Sequence, residues 1–472
     1  MHDSLLLFGA TGDLAQRYLF PSLHHLLRDR LLPDTFRVIA IARSAHDDDS
    51  FRAWLRDRLD GDDYVVLEEL LRRIHYVPVD LGDADSMAAS LSRYADRPAV
   101  SYLSTPPNLF ASACRGLKAA GLLEAPSRLV LEKPIGHDLA SAKEIDATLK
   151  SALDESRIFR IDHYLGKAPV QNLLALRLGN TLFEAVWERR WIESVDIIVA
   201  ETAGVDGREG YYADYGALRD MVQNHMLQLL ALIAMEPPAA MDTDSIRDEK
   251  RKVLRALRPM SAADAGADSV RGRYRDGVVD GHAVKGFDAG GHDDVETFVG
   301  LRAWIDNWRW AGVPFRLVTG KRMPSRTTEV VVTFRPVTHW VFGAGEARRA
   351  RPNQLRMRLQ PEETIELGLM GSLAASEWSA NELQPMSLDL AMLPPKRRIA
   401  YERLMIDALK GDQTLFVRDD EVEAAWRWID SVSAAWRDAR TPVHDYPAGS
   451  WGPVEAAPFL PRAVTTQNGR KA

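Results

Sequence analysis

The chain has a single cysteine, Cys114, among 472 residues, so it can form neither an internal disulfide nor a cysteine-based metal cluster, and a reducing compartment suits it. Long apolar runs are missing as well. Nothing reaches the ~18 uninterrupted apolar residues of a membrane span, and the opening MHDSLLLFGATGD has an acid at Asp3 and only Leu5 to Phe8 before a glycine, which fits neither a secretory signal nor a span. Positive charge is not in excess: 60 Lys and Arg against 67 Asp and Glu leave a formal charge of -7, which gives no electrostatic reason to expect nucleic acid or an anionic membrane as partner. The 12 histidines lack a tight ligand spacing, so a metal site is not expected. No repeat or low-complexity segment stands out. What is present is 46% hydrophobic and 27% charged residues, the balance of a globular cytoplasmic protein, at a length that exceeds one ordinary core and suggests two unequal domains.

Up to about residue 160, β-type runs alternate with helical patterns. The runs are Ser4 to Phe8, Arg37 to Ile41, Ile74 to Val79, Val100 to Leu103, Arg128 to Leu131 and Ile158 to Ile161, and between them lie amphipathic stretches such as Leu14 to Leu32, Ser86 to Tyr94 and Leu109 to Ala120. That rhythm means βαβ units and a doubly wound parallel sheet of Rossmann type. Beyond Lys167 it changes. A helical pattern at Val170 to Leu178, a strand at Ser194 to Ala200 and a long helix from Ala217 to Met235 precede closely spaced strands at Glu296 to Trp304, Phe315 to Thr319, Glu329 to Phe334, Leu355 to Leu359 and Thr364 to Met370. Short connections between strands point to an antiparallel sheet. Helices near Ala400 to Leu409 and Asp420 to Trp436 follow. The expected fold is therefore α/β plus α+β, with a first domain over 1–162 and a larger one over 163–472. The Gly- and Asp-rich stretch from Ala262 to Gly291 reads as a surface excursion, and the tail from Val464 as disordered.

The first strand runs into Gly9-Ala10-Thr11-Gly12-Asp13-Leu14, with Ala15 in the place of the third glycine. Glycines at this strand-to-helix turn let the backbone approach a pyrophosphate, which the helix N-terminus then stabilises, although a plain tight turn uses glycine in the same way. After the second strand, where NAD-specific domains place an acid for the ribose, stands Arg43, with Asp47 further on. An arginine there can pair with a 2′-phosphate, which favours NADP over NAD and is compatible with use of both. Asp80 and Leu81, after the third strand, fall where the loop passes the adenine. Lys133, in Leu131-Glu-Lys-Pro-Ile-Gly136, lies at the carboxyl edge of the sheet, within reach of a sugar hydroxyl or the nicotinamide amide.

Next comes Arg160-Ile-Asp-His-Tyr-Leu-Gly-Lys167, in which His163, Tyr164 and Lys167 are phosphate-compatible donors beside the carboxylate of Asp162. In Arg219-Asp-Met-Val-Gln-Asn-His225, an α-helix would put Asp220 and Asn224 on one face and His225 on the adjacent one. A fourth segment, Asp306 to Lys321 with Arg322 and Arg326, has a basic end suited to an anionic ligand, with Lys321 and Arg326 as its candidates, while its tryptophans read as packing.

Taken together, GATGDLAQR, YLSTPP, LEKPIGHDLASA, RIDHYLGK, QNLLALRLGN, LRDMVQNH, ETFVGLRAWIDNWRWAGVPF, TGKRM and YERLMIDALKGD resemble the glucose-6-phosphate dehydrogenase family, in the family's order, from Leu5 to about Pro453. The resemblance implies NADP-linked oxidation of glucose 6-phosphate to the 1,5-lactone, the NADPH-supplying step of the pentose phosphate pathway, and a homodimer or homotetramer built through the second domain's sheet. It implies that His225 is the general base, oriented by Asp162, and that His163, Tyr164 and Lys167 hold the phosphate. Glu201, Asp220, Lys321 and Arg326 fall to the sugar, and Arg43 to the 2′-phosphate. The chain departs from the family at Tyr18, where many members carry lysine, and at Ala168-Pro169. A dehydrogenase of another hexose phosphate, or a silent sensor of NADP and sugar phosphate, would share much of the pattern.

Overall fold

The computed structural model describes residues 1–59, 63–288, 290–291, 294–341, 350–372, 383–390 and 399–460. The chain forms two compact units: Met1–Lys167, Pro238–Arg251 and Lys396–Trp426 make the first, and Ala168–Pro237, Lys252–Pro395 and Arg427–Ala472 the second. A single cut at 162/163 therefore falls just short of Lys167 and overlooks two segments that return to the first unit.

In the first unit, β1 (Ser4–Phe8), β2 (Arg37–Ala42), β3 (Ile74–Pro78), β4 (Val100–Leu103), β5 (Arg128–Leu131) and β6 (Ile158–Ile161) form a parallel sheet in the order β3-β2-β1-β4-β5-β6. Helices cover both faces, so β1 and β4 are buried along their whole length and read as apolar runs rather than as alternation. The strand order reverses between β1 and β4, which creates a crevice at their carboxyl ends. The helix Ala400–Lys410 belongs here because Tyr401, Leu404, Met405 and Leu409 join the core built by Leu5, Leu7, Phe20 and Leu23. Arg128 fastens its end, donating to the carbonyls of Ala408 at 3.0 Å and Leu409 at 2.8 Å. A short strand, Phe416–Val417, then pairs antiparallel with β6.

The second unit contains β7 (Ile192–Ala200), β8 (Ser269–Arg275), β9 (Gly277–Val279), β10 (His282–Val284), β11 (Phe298–Ala303), β12 (Phe315–Gly320), β13 (Thr327–Phe334), β14 (Gln354–Gln360), β15 (Thr364–Ser372) and β16 (Leu383–Asp389). With Phe416–Val417 counted as β17, the last strand is β18 (Val443–Pro447). The large sheet runs β16-β15-β14-β13-β7-β12-β11-β8-β18, with β7/β12 and β8/β18 as its parallel contacts.

One expectation is corrected. The stretch Ala262 to Gly291 is not a surface excursion throughout, because β8 lies within the sheet and is buried except at its last residue. Its sequence, SVRGRYR, hid this: Arg271 and Arg273 go inside, Arg271 against Asp294 at 2.8 Å. The tail from Val464 lies outside the described residues. Among those described, no helix is long and apolar enough to cross a membrane.

Candidate active site

The glycine-rich turn is shaped by close approach of backbone to backbone. Gly9 has φ +76°, and a Cβ there would sit 2.3 Å from the carbonyl oxygen of Ser104, so glycine is required. The N–H groups of Gly9 and Ala10 donate to the Ile41 carbonyl at 2.9 and 3.1 Å, and that of Gly12 to the Gly9 carbonyl at 2.8 Å. Thr11 Oγ1 lies 3.5 Å from Ser44 Oγ, which brings the turn against the end of β2. Asp13 pairs in solvent with Arg17 at 2.6 Å, and Leu14 packs on the core. Arg43 is exposed and makes no ion pair among the described residues. Asp47 has a different job: its carboxylate accepts the Ser50 N–H at 2.8 Å and caps the helix Asp48–Arg56. Asp80 accepts the Gly82 N–H at 2.9 Å, while Leu81 is buried. The arrangement suits a dinucleotide, for the turn packs on the Ser104 backbone and leaves no side chain at Gly9 or Gly12 at the carboxyl end of β1, and the exposed cation at Arg43 suits a 2′-phosphate.

At the end of β5, Lys133 is half-buried beside Glu132, which is buried and accepts a hydrogen bond from the Tyr102 hydroxyl at 2.6 Å. Burial pushes the Glu132 carboxyl up to about 7. Sequence reasoning passed over Glu132, although it stands within the motif quoted for Lys133. Beyond β6, Asp162 is 1% exposed and its Oδ1 accepts the Tyr164 N–H at 2.9 Å. The turn continues with the Leu165 N–H on the Asp162 carbonyl and the Lys167 N–H on that of Tyr164, at 3.1 and 3.2 Å. It brings His163, Tyr164 and Lys167 together: the two rings lie 4.9 Å apart, and Lys167 Nζ sits 3.7 Å from the Tyr164 ring centroid. His163 also stacks on Tyr401, which meets Tyr18 at 5.5 Å. Arg160, the first residue of the motif, faces away from this chemistry. It is buried and bridges Glu155 and Asp146 at 2.5 Å each. Asp146, Glu155 and Asp419 cluster closely, and Arg160 and Lys150 answer their charge.

In the second unit the parallel pairing of β7 and β12 sets residues 120 apart side by side, because Ala200 faces Gly320 in register. Glu201 and Lys321 follow directly, so the Lys321 ammonium meets the Glu201 carboxylate and lies 3.8 Å from Asp220 Oδ2. The Lys321 carbonyl accepts from the Tyr446 hydroxyl at 2.7 Å. Tyr211 approaches Asp220 at 3.5 Å, and burial beside that carboxylate pushes its hydroxyl up. Arg326 is exposed on the loop from β12 to β13. Asp220 and His225, 3% and 1% exposed, stand on a nine-residue π-helical stretch, Leu218–Met226. In such winding the backbone hydrogen bonds span five residues instead of four, and the turn is wider than in an α-helix. The α-helical phase that would match Asp220 with Asn224 therefore does not carry over unchanged to this stretch. The tryptophans of the fourth segment divide: Trp310 is buried and donates to the Ala234 carbonyl at 2.7 Å, whereas Trp308 is 95% exposed.

Comparison with known proteins bears on the same residues. Residues 6–172 match the family model "Glucose-6-phosphate dehydrogenase, NAD binding domain", and residues 174–467 match "Glucose-6-phosphate dehydrogenase, C-terminal domain". The chain is 45% identical over 480 residues to the glucose-6-phosphate 1-dehydrogenase of Zymomonas mobilis, covering 98% of each chain. It is 42% identical to that of Rhizobium meliloti, covering 98% of this chain and 97% of the relative. Among solved structures, glucose-6-phosphate 1-dehydrogenase from Mycobacterium avium superposes with a TM-score of 0.82 at 35% identity, covering 97% of this chain and 96% of that one. A glucose-6-phosphate dehydrogenase in complex with its substrate glucose-6-phosphate gives 0.86 at 33% identity, with 97% of each chain covered.

Proposed function

The chain belongs to the glucose-6-phosphate dehydrogenase family, and from that premise we propose how its residues divide the oxidation of glucose 6-phosphate to 6-phospho-glucono-1,5-lactone with NADP. Two hydrogens must leave the hemiacetal carbon and its oxygen, one as hydride from C1 and one as proton from the C1 hydroxyl, as the C=O bond forms. His225 takes the proton: a neutral imidazole is matched to working pH. Asp162 fixes its tautomer and stabilises the imidazolium as it appears. His163, Tyr164 and Lys167 bind the 6-phosphate. Glu201, Asp220, Lys321 and Arg326 hold the sugar, and Lys133 serves the sugar or the nicotinamide amide. NADP, when bound, supplies the ring that accepts the hydride. Gly9, Ala10, Thr11, Gly12, Asp13 and Leu14 take its pyrophosphate, Arg43 its 2′-phosphate, and Asp80 and Leu81 its adenine.

The observation that carries this reading is the gathering of Glu201, Lys321 and Asp220 on the unit that also carries His225, five residues after Asp220 on the same buried stretch. Donor and acceptor side chains of both signs in one place suit a polyhydroxylated ligand. Lys167→Gln tests the phosphate assignment. Loss of a charge-assisted hydrogen bond, worth about 1.5–3 kcal/mol, is expected to raise KM for glucose 6-phosphate by about 10- to 100-fold and to leave the slow rate on free glucose unchanged. An unaltered KM would remove Lys167 from the phosphate site. We also propose a cytoplasmic homodimer or homotetramer assembled through the nine-stranded sheet. Met386 and Leu388, exposed on its edge strand β16, support that assembly.

A further inference from the structure

The segment that carries Asp220 and His225 begins at a break. The helix Glu209–Ala217 is interrupted at Gly216, whose φ of 60° and ψ of 179° fall in a region essentially confined to glycine. The break leaves the first N–H groups of the following π-helical stretch without helical acceptors. Both nearest ones turn to the same residue: the Ala217 N–H donates to the Glu296 carbonyl at 3.0 Å, and the Leu218 N–H to Glu296 Oε1, also at 3.0 Å. The approach is so close that a Cβ on Gly216 would lie 2.5 Å from Glu296 Oε1.

Glu296 is itself held from behind. It is 6% exposed, and its Oε2 faces Arg271 Nη2 at 3.5 Å. Arg271 is buried in β8, pairs with Asp294 at 2.8 Å, donates to the Thr441 carbonyl at 3.1 Å and lies 4.6 Å over the Trp436 ring. The next residue, Thr297, accepts the Lys321 N–H at 2.9 Å on its carbonyl. One strand entry thus touches both arms of the sugar cluster, Lys321 through the backbone and the Asp220–His225 segment through a carboxylate.

We infer that Glu296 is a positioning residue, whose buried side chain caps the π-helical stretch and sets where Asp220 and His225 stand. It acts through reach and acceptor geometry rather than through charge. Burial raises its carboxyl above the usual range while Arg271 opposes the rise, and the Leu218 N–H needs only an acceptor at that reach, which a glutamine of the same length supplies.

The inference rests on His225 and Asp220 acting from this stretch. The test compares Glu296→Gln, Glu296→Asp and Glu296→Leu in the full chain, with kcat, KM for glucose 6-phosphate, the NADP dissociation constant and the thermal midpoint measured on each. Gln keeps the reach and the acceptor and should retain most of kcat. Asp keeps the charge but withdraws the oxygen, and Leu removes the acceptor; each should lose kcat by about 10²-fold, the scale of a misplacement near 1 Å, with NADP binding unchanged. Activity of Asp equal to or above that of Gln, or of Leu equal to the parent, would overturn the inference. If Leu does not fold, the order of Gln and Asp decides, with NADP binding as the check on fold. Turnover by His225→Asn would instead overturn the base assignment, whatever the Glu296 series shows.

Discussion

His225→Asn is expected to lower kcat by about 10²–10⁴-fold, the usual contribution of a positioned general base, while the NADP dissociation constant stays as in the parent. The expectation starts from burial. His225 is 1% exposed and sits on a stretch that also buries Asp220 and Gln223, an unusual density of polar groups for the inside of a unit. A structural histidine could be accommodated without π winding, which persists mostly at functional sites because its geometry is otherwise unfavourable. Asparagine is polar and smaller, so the segment should keep its shape while losing the group that accepts a proton. If kcat stayed within about tenfold of the parent, the base would have to be another residue.

Lys250→Met is expected to destabilise the first unit by about 3–5 kcal/mol, the scale for removing one partner of a buried ion pair. Lys250 and Glu421 are 2.8 Å apart and both side chains are 0% exposed. The lysine lies on the helix Thr243–Arg255 and the glutamate on the helix Asp419–Ala439. Methionine has nearly the length of lysine, so the loss comes from the Glu421 carboxylate left buried without its lysine counter-charge. The double variant Lys250→Met with Glu421→Leu removes both charges and should recover most of the thermal midpoint, since a well-packed apolar pair often replaces such a bridge without cost. A midpoint for Lys250→Met equal to that of the parent would show that the pair contributes nothing.

The parallel sheet was legible in the sequence because its central strands are covered on both faces and must be apolar throughout. Six runs expected from composition alone correspond to β1 to β6, with boundaries shifted by a residue or less. The gathering at RIDHYLGK was also legible, since three polar side chains within one turn have nowhere else to go. Other features depend on partners far along the chain. β8 could not be read from its own residues, because a buried arginine strand becomes plausible only once Asp294, Glu296 and Trp436 surround Arg271. The return of Ala400–Lys410 to the first unit is set by an apolar stripe that any helix of the second unit would also show. Asp47, which stands just after Arg43, is a helix cap, a role that its spacing to Ser50 allowed but did not require. The π winding of Leu218–Met226 was not legible for a simpler reason: periodicity assumes 3.6 residues per turn, and this stretch departs from it.

The central claim, that this chain oxidises glucose 6-phosphate with NADP, is tested most directly by following absorbance at the reduced-nicotinamide band. The purified protein is given glucose 6-phosphate with NADP and with NAD in turn, and then free glucose. Reduction that depends on the 6-phosphate, with a higher kcat/KM for NADP than for NAD, is the result expected from the cluster at Lys167 and the exposed Arg43. An absence of reduction with either cofactor, from protein that binds both NADP and glucose 6-phosphate, would contradict it.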